Sequence, residues 1–440
     1  MTGRLPALLL ALGVAILAAE ARAEEMRQVP PGGDLQDAID HAAAGDILVL
    51  EAGEHRGPVV VSRPLTLRGQ AGARLVGDRR GSVVTIEADD VRLEQLEITG
   101  SGHNLSRDDA GVFVLGDNAH LANLTLRDNL HGVYVRRAHG VRLVDNHVAG
   151  LAAGDTEARI IGAEAYARED AGHHAPPRVQ ALMGNGLHLF NANGAVVEDN
   201  HIHHARDGIY VAHTSDAAFR DNRIHDCRYG IHYMYSSDNT VAGNELWDNV
   251  AGPALMFSRN LQVHDNLMRD HGGFRAYGLL LQNVESSQIR RNTIRGNRVG
   301  LRLQNSNNND FRGNRVFANL ASMTINSSSR DNRFTRNSIG LNMRQIELTG
   351  PAPANDWSVD GVGNHWHGAL PMDLTGDGIS QWPHHEVDLL AATRERFPPI
   401  QLLTGSAGVT ALEWALARVP LPGTRYITDP HPLVRRPDDD

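Results

Sequence analysis

The sequence predicts an all-β fold, a right-handed parallel β-helix built from coils of about 22 residues, and three observations predict it. The first is a glycine repeat. "NGLHLF", "DGIYVA", "YGIHYM", "AGPALM", "YGLLLQ" and "VGLRLQ" carry Gly186, Gly208, Gly230, Gly252, Gly278 and Gly300, spaced 22, 22, 22, 26 and 22 residues apart. The second is an asparagine 14 residues after each: Asn200, Asn222, Asn244, Asn266, Asn292 and Asn314, with Gly132 and Asn146 repeating the offset earlier. The third is alternation. Ile209 and Val211 follow Gly208, and Ile224 sits between Arg223 and His225, the period of a strand with one buried face. Glycine and asparagine mark the corners, where a positive φ or a sharp bend is expected. Coils stacked at about 4.8 Å would bring the asparagines into a hydrogen-bonded ladder. The LxxLxL pattern of a leucine-rich repeat is missing.

Each element follows in chain order. Arg4, the apolar run "LPALLLALGVAILAA" and the small residues Ala21 and Ala23 of "ARA" read as a signal peptide over residues 1–23. The run is too short to span a bilayer, so the expected location is the periplasm. Asp34 is a candidate N-cap for a short helix with Leu35, Ala38, Ile39 and Ala42 on one face, suited to closing the first coil. The β-helix is expected over residues 24–340. Gly132 to Gly186 is 54 residues, so one coil carries an insertion at about 150–182. Residues 341–440 form an extension. Its segment Ser406–Val419 places Val409, Leu412, Leu416 and Val419 on one helical face, a cap or a docking helix. The tail "RRPDDD" has the composition of a disordered end.

Composition narrows the function. Net charge is −10, which argues against general nucleic-acid binding. All 42 basic residues are arginine, so no lysine base is present. Cys227 is the single cysteine, which leaves neither an internal disulfide nor a CxxC metal site. Aromatics make up 5% of the chain, thin for a conventional core. Histidine is plentiful at 23.

Residues at equal offsets from the glycine should stack outward on successive coils. Two places on, the column reads His188, Tyr210, His232, Ala254, Leu280, Arg302. Four places on, it reads Phe190, Ala212, Met234, Met256, Gln282, Gln304. Met234 and Met256 are thus expected side by side with His232 near them. Thioether and imidazole groups suit Cu(I). The plainer reading is an apolar patch that meets a protein partner. A second column, three places after the asparagine, reads His203, His225, Trp247, Arg269, with Cys227 near it. His203, His225 and Cys227 are the second-choice ligands, against a plain histidine ladder. "DLTGDG" sets Asp373, Thr375 and Asp377 at the spacing that opens a calcium loop, but the twelfth position is His384, so a polar turn is the competing reading.

Several segments together resemble the NosD family: "GNGLHLF", "DGIYV", "GIHYMYSSDN", "NDWSVDGVGNHW", "MDLTGDGI", "LLTGSAGVTALEWALARVP" and "DPHPL", from about residue 30 to 435. The repeat units alone are shared with sugar-acting β-helices; the "GIHYMY" strand and the C-terminal segments are the specific part. The resemblance implies a periplasmic accessory protein that works with an ABC-type ATPase, its membrane subunit and a copper-carrying lipoprotein. Together these build the copper centres of nitrous-oxide reductase, here met as the apo form. The insertion at 150–182 departs from the expected pattern. Two other readings compete. One is a polysaccharide lyase, hydrolase or epimerase, which needs a base or a carboxylate pair; Asp207, Asp226, Glu245 and Asp248 are scattered, with no aligned outward column. The other is a ligand-free docking scaffold.

Overall fold

The chain winds as a parallel β-solenoid of three sheets. The computed structural model describes residues 25–151, 183–273, 276–387, 397, 399–400, 406–418 and 425–437. The signal segment and the 150–182 insertion lie, but for the flanking residues 150 and 151, outside them. Among the described residues, two sheets have 13 strands and the third has 12. One coil shows the plan: Asp207–Ala212, Ala218–Arg220 and Arg223–His225, one strand in each sheet. Each pairs in parallel with the next coil, Ile209 opposite Ile231, Phe219 opposite Val241 and Ile224 opposite Leu246. The inward members Ile209, Val211, Phe219 and Ile224 are fully buried. Burial of such columns, at about 25 cal/mol per Å² of apolar surface, holds coil to coil.

The asparagine column is buried and continuous. Asn222 donates from its backbone N–H at 3.0 Å and from its side-chain amide at 2.9 Å to Oδ1 of Asn244, and Asn244 repeats this to Asn266. The chain of amides runs from Asn146 to Asn364. It ends on Asp429, whose carboxylate accepts from the Asn364 backbone at 2.7 Å and from the Trp366 indole at 2.9 Å. Burial pushes the Asp429 carboxyl above its ordinary range.

The corners are made differently from the expectation. The repeat glycines do not adopt positive φ: Gly208, Gly230, Gly278 and Gly300 sit inside strands, and Gly186 and Gly252 just before one. A Cβ on Gly208 would fall 2.6 Å from the Gly230 carbonyl oxygen and against an Ile224 methyl, so close backbone approach is what demands glycine there. The left-handed corners fall instead to residues such as Asp199, Asp221 and Asp265, each just before a ladder asparagine, with φ of 56°, 52° and 58°.

Both ends are closed. The helix Leu35–His41 buries Leu35 and Ile39, and Asp34 caps it by accepting from the Asp37 N–H at 3.0 Å. The sheets continue past residue 340, through Arg344–Thr349 and His365–Trp366. There the scarce aromatics gather: Phe311, Phe334 and Trp357 stack at 4.6 and 4.3 Å, and Trp366 and His384 continue the pile. The pair His384–Val387 and Arg425–Asp429 closes this end, with the helix Ala407–Arg418 beside it. No helix among the described residues is long and apolar enough to cross a membrane.

Candidate functional site

From Ala110–Val114 onward the longest strand of each coil lies in one sheet, and the outer face of that sheet carries the candidate site. The predicted register holds: Tyr210 lies opposite His232, Ala212 opposite Met234, and Met234 opposite Met256. Phe113, Tyr134, His188, Tyr210 and His232 make a column of rings with centroids 4.1 to 5.3 Å apart. Burial pushes the Tyr134 phenol up to about 12 and holds the His188 imidazole well below its ordinary value, so both stay neutral near pH 7.

His232 is fixed by charge. Its Nδ1 lies 2.9 Å from the buried carboxylate of Asp207, which also accepts from Arg228 Nε at 2.8 Å and Nη2 at 2.6 Å. Burial alone would raise the Asp207 carboxyl; the hydrogen bonds from His232 and Arg228 outweigh it and hold the carboxyl below its ordinary range. A carboxylate on Nδ1 selects the tautomer that leaves Nε2 with a lone pair, the arrangement that orients metal-bound imidazoles. Two residues further along the strand, the partly exposed thioethers of Met234 and Met256 lie on adjacent strands.

Beside the methionines runs a ridge that the sequence reading missed. His213, Tyr235 and Phe257 stack face to face at 5.4 and 4.9 Å. Tyr235 is 51% exposed and Phe257 36%. Both occupy the left-handed region, at φ of 50° and 51°, costly for bulky side chains. The signal was present: five places after the repeat glycine the column reads Asn191, His213, Tyr235, Phe257, Asn283, Asn305, and asparagine is a common left-handed residue.

The other predicted residues lie elsewhere. His203 and His225 stack in register at 5.1 Å on a different sheet, with Trp247 next at 4.5 Å from His225. Burial, then neighbouring imidazoles, push His203 down to about 4. Cys227 does not join them. It belongs to the hydrophobic core, its Sγ is 3.2 Å from the His225 carbonyl oxygen, and burial pushes its thiol up. A buried, protonated thiol is a poor ligand, which corrects its place in the second-choice set.

In the "DLTGDG" loop, Asp373 accepts from Gly376 N–H at 2.6 Å and Gly378 N–H at 2.9 Å, and Asp377 accepts from Ile379 N–H at 3.0 Å. These bonds account for the residues as a polar turn without an ion. Val409 is half-buried and Leu412 is 53% exposed on the helix Ala407–Arg418. The side chain of Leu416, and Val419 altogether, lie outside the described residues.

The chain resembles known proteins over most of its length. The profile of the family described as "Periplasmic copper-binding protein (NosD)" matches residues 163–370. A "Probable ABC transporter binding protein NosD" of Pseudomonas aeruginosa is 35% identical over 404 residues, 88% of each chain. A protein of the same description from Stutzerimonas stutzeri is 34% identical, over 89% of this chain and 87% of the relative. Among solved structures, the Yersinia enterocolitica family 28 exopolygalacturonase aligns with a TM-score of 0.50 at 13% identity, over 78% of this chain and 77% of that one, a likeness of fold alone. The chain belongs to the NosD family.

Proposed function

We propose that this protein is the periplasmic binding subunit of an ABC-type system that assembles the copper centres of nitrous-oxide reductase. On this reading it receives Cu(I) from a copper-carrying lipoprotein and passes it toward the apo reductase. The ion is cargo, held briefly by Met234, Met256 and His232. The observation that carries the reading is the in-register placement of the two thioethers beside an imidazole whose Nδ1 is tied to Asp207. Two sulfurs and one nitrogen form a soft, low-coordinate set that favours Cu(I) over Mg²⁺ or Ca²⁺. Partial exposure of the face suits transfer between proteins. The names of the relatives, a copper-binding family and ABC transporter binding proteins, support the same role.

The exposed Tyr235–Phe257 ridge supports a second element of the reading, a docking surface against a protein partner. Aromatic side chains held proud of a rigid face are typical anchors of an interface. Val409, Leu412, Leu416 and Val419 are the proposed contacts of the C-terminal helix with the membrane subunit. The polysaccharide-enzyme alternative has less behind it. Asp207 is committed to Arg228, Glu245 to Arg269, and Asp226 to His225.

The test is an anaerobic Cu(I) titration of the mature chain against a competing chelator, with a His232→Ala, Met234→Ala, Met256→Ala triple variant alongside. Binding in the wild type and at least tenfold weaker binding in a folded variant is expected, in the range seen when metal ligands or their supports are removed (about 10–100-fold). Equal binding in both refutes the site. No Cu(I) binding by either, with retention of the ABC partner, favours the docking scaffold.

A further inference from the structure

A separate group of histidines stands on another sheet, away from the methionine face. His147, His201, His203, His204 and His225 come from three successive coils, His147 in register with His201 and His203 with His225. Their rings lie within 6.5 Å of one another in every neighbouring pair. The nitrogens meet at closer range. Nε2 of His147 is 2.9 Å from Nε2 of His203, Nε2 of His201 is 2.8 Å from Nε2 of His225, and Nδ1 of His203 is 2.6 Å from Nδ1 of His204. His204 sits at φ 56°, a left-handed corner that turns its ring back toward His203. None of the five is fully buried, so the group is open to solvent.

The group has the support that metal-binding imidazoles use. Nδ1 of His225 lies 2.6 Å from the Asp226 carboxylate. The proton therefore stays on Nδ1, and the Nε2 lone pair faces His201. A plain histidine ladder needs stacked rings; it does not need nitrogens from three coils turned toward one another.

We propose that these five histidines form a nitrogen-only site for a borderline divalent cation, Cu(II) first and Zn(II) second. The claim stands apart from the Cu(I) reading: it uses other residues, another sheet and another oxidation state. As they stand, the nitrogens meet in pairs, and among the described residues no three His, Cys, Asp or Glu side chains already surround one point. The second torsion of histidine turns in a broad well. Ring rotation alone then exchanges N–H···N bonds for metal–nitrogen bonds, with no backbone movement. Imidazole suits Cu²⁺ and Zn²⁺, and the ordinary affinity order of divalent ions places Cu²⁺ above Zn²⁺. The thioethers of the other face suit the reduced ion. One solenoid would then present separate places for oxidised and reduced copper.

The test is an aerobic titration of the mature full chain, without a polyhistidine tag, with Cu(II) against glycine as competitor. It is read by electron paramagnetic resonance, with a parallel Zn(II) titration by calorimetry. About one Cu(II) with nitrogen hyperfine structure is expected. A His203→Ala, His225→Ala variant should bind at least about tenfold more weakly, and Asp226→Asn, a positioning change, about tenfold more weakly. His147→Ala with His201→Ala gives an independent loss on other coils should the first variant not fold. Met234→Ala with Met256→Ala should leave Cu(II) binding unchanged. Equal Cu(II) affinity in wild type and both histidine variants, a spectrum without several nitrogens, or loss only in the methionine variant overturns the proposal.

Discussion

A single buried asparagine such as Asn244 carries several bonds at once. Its Oδ1 accepts from the backbone and side chain of Asn222, and its amide donates to Asn266 and to the Phe219 and Ala242 carbonyls. Asn244→Ala strands the Asn222 donors and the Phe219 and Ala242 carbonyls in a dry interior. We expect a loss of about 2–4 kcal/mol, read by urea denaturation, since each orphaned buried group costs about 1–3 kcal/mol. Tyr235 presents the opposite balance. Its left-handed backbone costs about 1–3 kcal/mol, while its stacking on His213 and Phe257 returns about 0.5–1.5 kcal/mol per pair. Tyr235→Asn should therefore leave stability within about 1 kcal/mol of wild type by the same measurement, because asparagine tolerates the left-handed region. A residue retained at such expense without stabilising the fold points to a contact outside the chain, and the same variant should lose partner capture. Loss of more than about 2 kcal/mol would make the ridge structural instead.

At the scale of the strand and its corner, the repeat glycine is set by space rather than by φ. Gly208→Ala puts a methyl against Ile224 and the Gly230 carbonyl, so the two coils must part. Overpacking of this kind costs about 1–3 kcal/mol, and the measurement is again denaturant unfolding. The corners also carry ion pairs between coils. Asp265 accepts from Arg291 Nε at 2.8 Å and Nη2 at 2.7 Å, and this pairing, with His264, holds its carboxyl down at about 2 against an ordinary 3.8. The folded value is the lower one, so the pair stabilises the fold above about pH 4 and loses that contribution as pH falls through about 2. The groups are 45% and 61% exposed, which limits the contribution to under about 1 kcal/mol. Arg291→Gln should lower unfolding free energy at pH 6 more than at pH 3; an equal loss at both would refute the ion-pair account.

For the whole molecule, a solenoid is stable only if its ends are closed and each coil leans on its neighbours. Asp429, delivered from 65 residues beyond Asn364, ends the asparagine ladder and satisfies the Trp366 indole. Asp429→Ala should leave two or three buried donors unpaired and destabilise the last coils by about 2–3 kcal/mol. Because coupling runs from neighbour to neighbour, hydrogen exchange should quicken first over residues 337–366. The coils around residues 110–150 should keep their protection. Uniform loss of protection along the chain would show that the solenoid unfolds as one unit.

The 22-residue period, the alternation and the glycine and asparagine offsets determined the fold and the cross-coil register. In a stack of identical coils, sequence distance converts directly into spatial neighbours. That is why Met234 could be set beside Met256, and His203 beside His225, from the letters alone. The tertiary structure decided what depends on side-chain direction and on distant chain. It turned Cys227 into the core, tied His232 to Asp207 and Arg228, and raised Tyr235 and Phe257 as a strained ridge. It also turned five imidazoles toward one another and carried the ladder to Asn364 across spacings of 23 and 27 residues, where the simple period fails. The physical reason is that a repeat specifies which backbones are adjacent. The rotamer of each side chain, the satisfaction of each buried polar atom and the closing of the open end are settled by contacts that no fixed offset encodes.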